Sequence, residues 1–184
     1  MTDKNQPSVL AFEDRLPVGE KKLEKPFSEN QINDLNHSAV DVLSAIISLE
    51  QMSFEHVEPD AKGVSAEIHR IEQKLDFITE LLAKVIQAQQ TTPPIKSIKM
   101  SADHVVWCPD LQFNPDDYCL LSIHLSQKYP TPLELPVRVI SYRSESTSES
   151  MMEGQILLSD ESVIDDLTRM IFLFHRRQIA RHRT

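Results

Sequence analysis

Glycine is scarce in this chain, with three in 184 residues, Gly19, Gly63 and Gly154, all far apart. Loops that cradle phosphate need several glycines close together, where backbone amides approach the ligand, so dinucleotide-fold and P-loop chemistry is not expected. Cysteine is scarcer still, and Cys108 and Cys119 form neither a C-x-x-C pair nor a disulfide framework, which predicts free thiols. No apolar run approaches the roughly 18 residues that cross a bilayer, so no membrane insertion is expected. The opening MTDKNQPSVLAFEDRLP has neither the charged nor the apolar region of a secretory signal, which predicts a cytoplasmic protein. Positive charge is also short: 19 Lys and Arg against 28 Asp and Glu leave a formal net charge of −9. That balance disfavours a nucleic-acid partner, because displacing counterions from a phosphate backbone takes a cationic surface. One segment runs against the trend, since Arg169 to Thr184 carries five arginines, two histidines and no acid.

Catalytic groupings are missing too. There is no G-x-S-x-G elbow, and the neighbouring carboxylates Asp116–Asp117 and Asp165–Asp166 fall where turns and helix starts use aspartate for local hydrogen bonds. His104, Cys108, Cys119 and His124 are metal-capable types, but their spacing matches no common zinc knuckle, and strand alternation would turn some of them to opposite faces. The chain is expected not to be an enzyme and to hold no metal.

What the chain does have is helical periodicity followed by strand alternation. Residues 1–28 read as an extended leader that packs Leu10, Phe12, Leu16 and Val18 onto another element. Ser28 and Gln31 have the form of a capping box for a first helix from about Glu29 to Phe54. Leu35, Ala39, Val42, Ile46 and Leu49 form one apolar stripe of that helix, and Val40, Leu43, Ile47 and Phe54 a second, a width that calls for two neighbours. Pro59 and Gly63 end the segment, and a second helix is predicted from near Ser65 to before Thr91 and Thr92.

In the second helix Val64, Ile68, Ile71, Leu75, Ile78, Leu82, Val85 and Gln89 repeat at 4-3-4-3-4-3-4. With Ile68, Leu75, Leu82 and Gln89 at a positions and Val64, Ile71, Ile78 and Val85 at d, this is the seam of a coiled coil. Leucine at a with β-branched isoleucine at d favours trimers or tetramers over dimers. Leu81 and Ile86 widen the seam at g and e. Residues 29–92 are therefore read as an oligomerisation region with Val64, Ile68, Ile71, Leu75, Ile78, Leu82 and Val85 at the interface. Two alternatives are a hairpin of the two helices within one chain, or helices laid on the β domain. In a mixed version each first helix lies along its own second helix and the second helices meet at the symmetry axis.

Pro93 and Pro94 mark a boundary, and residues 95–184 form the β-rich part. Strands are predicted around Ile98 and Met100, Val105 and Trp107, Tyr118 to Leu125, Leu133 to Val139, and Gln155 to Leu158, at the spacing of a small antiparallel barrel. Trp107 is expected in the core or anchoring an interface. A last helix begins near Asp160 or Ser162, buries Val163, Leu167, Met170, Ile171 and Phe174, and ends in RHR, the charge order that suits a helix dipole.

The order IKSIKMSADHVVW, turn, long antiparallel strands and terminal helix SVIDDLTRMIFLFHRRQIAR resembles the PilZ domain, a family of bacterial cyclic di-GMP receptors. The heptad stretch IHRIEQKLDFITELLAKVI before it is similar to the atypical, tetrameric branch of that family. The resemblance implies an α+β protein: heptad-bearing helices that mediate oligomerisation, a six-stranded PilZ-like barrel and a C-terminal helix. It also implies cyclic di-GMP as ligand, held by an R-x-x-x-R motif before the first strand and a (D/N)-x-S-x-x-G motif on the early strands. This chain departs from both. No arginine lies between Arg70 and Arg138, and in KMSADH the second motif falls on Lys99, Ser101 and His104, so the site is read as degenerate. One R-x-x-x-R does occur, Arg177 to Arg181, in the terminal helix, and Arg176, Arg177 and Arg181 form a candidate anion site. The expected protein is thus a homo-oligomer, taken as a tetramer, that presents several barrels to a protein partner. The alternative is a receptor binding cyclic di-GMP through a non-standard basic site.

Overall fold

A computed structural model describes residues 10–52, 64–89, 92–144 and 150–181. Strand β1 (Phe12–Leu23) comes first, followed by helices α1 (Glu29–Met52) and α2 (Val64–Gln89). Strands β2 (Ile95–Met100), β3 (His104–Trp107), β4 (Tyr118–Ile123), β5 (Leu133–Ser144) and β6 (Ser150–Ile156) follow, and helix α3 (Glu161–Arg181) ends the series. The six strands close an antiparallel barrel in the order β1-β2-β3-β6-β5-β4. The expected six-stranded barrel with a terminal helix is therefore present.

Its first strand, however, is the leader. The segment expected to pack onto something else is a wall of the barrel, and both long helices are inserted between β1 and β2 rather than preceding the barrel. β1 pairs with β2 over Phe12–Pro17 and with β4 over Val18–Leu23, so it turns a barrel corner at Pro17. Proline suits that corner because its missing N–H falls where the ladder changes partners. There Pro17 O accepts from His124 N at 3.0 Å, and Val18 N donates to Pro94 O at 3.0 Å. β6 also departs from expectation, running Ser150–Ile156 where the alternation pointed to Gln155–Leu158.

Inward side chains alternate cleanly: Ile98 and Met100, Val105 and Trp107, Cys119, Leu121 and Ile123, and Leu133, Leu135, Val137 and Val139 are all fully buried. Trp107 is accommodated by Gly154 on the paired strand β6. A Cβ there would lie 2.3 Å from Val137 Cγ1 and 3.2 Å from Trp107 Cζ3.

The capping box at the start of α1 forms in both directions, with Ser28 N donating to Gln31 Oε1 at 2.9 Å and Gln31 N donating to Ser28 Oγ at 3.3 Å. The two neighbours of α1 are α3 and β5, so it does not lie along α2. Ala39, Val42, Leu43, Ile46 and Ile47 are buried in that contact, while Phe54 lies outside the described residues. α3 starts on Asp160, whose Oδ1 accepts from Ser162 N at 2.9 Å, and it covers one barrel end through Phe174, edge-on to Phe12 at 5.3 Å.

Strand β3 leads into a loop, residues 108–117, that is fastened to the barrel by Glu20. This carboxylate, 4 % exposed, accepts from Trp107 Nε1 at 2.9 Å, Asp110 N at 2.7 Å and Leu111 N at 2.6 Å. Lys96 Nζ lies 3.3 Å from Glu20 and 2.8 Å from Asp110, as an ion pair rather than an aligned hydrogen bond. Phe113, buried at the loop centre, meets Trp107 edge-on at 6.1 Å. Asp116 takes a left-handed φ of 70°, which aspartate tolerates in turns.

Candidate functional site

The helix α2 has no counterpart to the buried faces of α1 and α3. From Ile68 to Ile86 every described side chain except Ala83 is exposed, including Ile68, Ile71, Leu75, Ile78, Leu82 and Val85 at 50–58 %. The flanking Leu81 and Ile86 are 46 % and 41 % exposed, and Phe77 is 61 % exposed. Val64 lies within the helix, but its side chain is outside the described set. The stretch from Ile68 to Ile86 is about 27 Å long at 1.5 Å per residue, so an apolar strip of that length faces solvent in the single chain. Isolated surface leucines need no explanation, whereas contiguous apolar strips of this kind are uncommon on monomeric proteins. Covering the exposed half of each of these six side chains would contribute about 1 kcal/mol apiece. The Glu80 carboxyl of α2 is held below the usual range chiefly by Lys84, 2.7 Å away, and to a lesser degree by the charge of Lys128.

The motif residues Lys99, Ser101 and His104 cluster around the β2–β3 turn. Lys99 stands on the barrel exterior between Glu13 of β1 and Val106 of β3. Ser101 is almost buried and its hydroxyl is used locally, donating to Asp103 Oδ1 at 2.8 Å and accepting from His104 N at 3.1 Å. His104 Nδ1 lies 2.9 Å from the other Asp103 oxygen. Partial burial pushes the Asp103 carboxyl up, but the Ser101 and His104 hydrogen bonds outweigh it and hold the group below the usual carboxylate range. The turn therefore carries the Asp103 carboxylate charge, and the proton of the Ser101 hydroxyl is already donated to it. Lys96, the other lysine of β2, is consumed by Glu20 and Asp110.

The two described arginines of the candidate anion site, Arg176 and Arg177, have different neighbours. Arg176 is exposed, with its guanidinium over the Phe172 ring at 5.8 Å, whereas Arg177 turns to α1 and pairs with Glu50 at 3.0 Å. The Arg181 side chain lies outside the described residues. Cys119 is buried in the barrel, and burial pushes its thiol up to about 12, which makes it inert at neutral pH. Among the described residues no three metal-capable side chains converge, and no helix is long and apolar enough to cross a membrane.

Residues 43–184 match the family model described as atypical PilZ domain, cyclic di-GMP receptor. The chain belongs to the atypical PilZ domain family. A solved structure to which it is similar is a pathogenic protein from Xanthomonas campestris, described as a tetrameric PilZ domain self-assembled via an unusual helical bundle. The two agree with a TM-score of 0.72 at 22 % identity, over 94 % of this chain and 91 % of that one, which establishes a shared PilZ fold. No curated protein matches the chain. The PilZ match leaves out β1, the strand that closes the barrel, and so does not by itself mark the limits of the folded unit.

Proposed function

We propose that this protein is a noncatalytic, cytoplasmic member of cyclic di-GMP signalling that self-associates through α2, as a tetramer, and presents several barrels to a protein partner. The observation that carries the reading is the exposed strip from Ile68 to Val85, whose leucines at a and isoleucines at d fit a bundle of more than two helices. The tetrameric assembly named for the Xanthomonas campestris protein supports the same order. Clustering raises the effective concentration of each barrel for a multivalent partner without improving any single contact. The ligand motif is read as degenerate because Asp103 occupies the hydroxyl of Ser101 and the sequence carries no arginine between Arg70 and Arg138. The competing reading is a true receptor that grips cyclic di-GMP through the cations of α3. Light scattering combined with a calorimetric titration separates the two. The scaffold reading expects a tetrameric mass with no heat from cyclic di-GMP, and stoichiometric binding abolished by Arg176→Ala would establish the receptor instead.

A further inference from the structure

At the barrel end covered by α3, a cavity of about 640 Å3 opens between the last turns of α1 and α3, strand β1 and the loop after β4. None of the seam residues of α2 and none of the β2–β3 turn lines it. Its apolar surface comes from Leu16, Leu49, Leu125 and Phe174, one from each of four elements. Its rim carries both signs of charge, but the two signs differ in how far they are already satisfied.

The acids are engaged. Glu50, 13 % exposed, accepts from Arg177 Nη1 at 3.0 Å, and Asp14 Oδ1 accepts from Arg15 N at 2.8 Å. The cations keep donors in hand. Arginine has five N–H groups in a planar fork, and Glu50 takes one of those on Arg177. Lys128, another lining residue, uses its backbone N–H on Ser126 Oγ, and its exposed ammonium group acts on the Glu80 carboxylate of α2 through charge alone, with no hydrogen bond to it, so its N–H donors stay available. A donor-rich rim above an apolar surface, in a cavity of the size that takes small molecules, suits an acceptor-rich head on an apolar body.

We propose that this cavity binds a small amphipathic anion, an acyl or aryl chain ending in a carboxylate or phosphate, with the chain against Leu16, Leu49, Leu125 and Phe174 and the head between Arg177 and Lys128. Glu50 holds Arg177 in place on the cavity wall in the empty state. The proposal does not depend on self-association or on cyclic di-GMP.

The test is a methyl NMR titration of the full chain labelled at leucine, with decanoate and decyl phosphate as probes and decanol as the neutral control. Saturable shifts at Leu16, Leu49 and Leu125 with either anion are expected, and the stronger probe distinguishes a carboxylate site from a phosphate site. Binding should weaken at least about tenfold in Lys128→Ala, an exposed change that leaves the fold intact. It should weaken similarly in the double variant Arg177→Ala with Glu50→Ala, which removes the pair together and leaves no bare charge. Shifts confined to Leu75, Leu81 and Leu82 of α2, equal binding of decanol, or unchanged affinity in Lys128→Ala would each overturn the assignment.

Discussion

Replacing Leu75 and Ile78 together by glutamate places two carboxylates at the middle of the α2 strip, at consecutive a and d positions. In the single chain these side chains are 58 % and 52 % exposed, so the substitution costs the monomer little. In an assembly each position loses about 1 kcal/mol of apolar burial. Each buried carboxylate adds a desolvation penalty of several kcal/mol, with no cation among the a and d residues of the seam. The sum is about 5 kcal/mol or more per chain, and about 20 kcal/mol over four chains, which no assembly at laboratory concentration absorbs. Multi-angle light scattering should therefore show the mass falling to that of a single 21.1 kDa chain. The barrel should stay folded, because α2 buries only Ala83 among its described side chains, and the near-ultraviolet signal of Trp107 should persist. A variant that keeps the parental mass would refute the reasoning, as would one that loses the Trp107 signal, since that would place α2 inside the core of its own domain.

The remaining predictions concern the barrel. Glu20→Gln removes the charge that faces buried Lys96 and one of two acceptor oxygens for Trp107, Asp110 and Leu111, and should destabilise the fold by about 3 kcal/mol in urea unfolding followed by Trp107 fluorescence. Gly154→Ala drives a methyl into Val137 and Trp107 and should cost about 1–3 kcal/mol, with a changed near-ultraviolet spectrum; an unchanged melting temperature would show that the β5–β6 contact is looser than described. Asp103 and Asp117 both have carboxyls held below their ordinary value, Asp117 first by the Asn114 amide and then by Lys22. A depressed carboxylate stabilises the fold above its unfolded pKa, and that contribution is lost as the pH falls through the folded value. Melting temperature should accordingly fall below about pH 4, and Asp117→Asn should lower it at neutral pH while flattening that acid slope.

Much of this was legible in the residues. Period-two alternation at Ile98–Met100, Val105–Trp107 and Leu133–Val139 located strands, because a half-buried sheet separates side chains by face. Ser28 and Gln31 marked the start of α1 through their capping geometry. β1 was not legible as a barrel strand, since FEDRLPVGEKKL buries only Phe12 and Val18 completely and breaks its alternation at Pro17 where it changes partners. The bulge near Ile140 hid the length of β5 in a similar way, by interrupting the register with β6. At the β2–β3 turn, the lost motif residues could be read directly, but not the use of the Ser101 hydroxyl by Asp103, which depends on how the turn closes. The role of Glu20 was invisible because its partners Lys96, Trp107 and Asp110 are more than seventy positions away.

Sedimentation velocity of the unmodified chain tests the central claim most directly, because it weighs the particle in free solution. A single species of about four chain masses that persists on dilution is expected. A lone 21.1 kDa species at every concentration would contradict it and leave the apolar face of α2 to some other purpose.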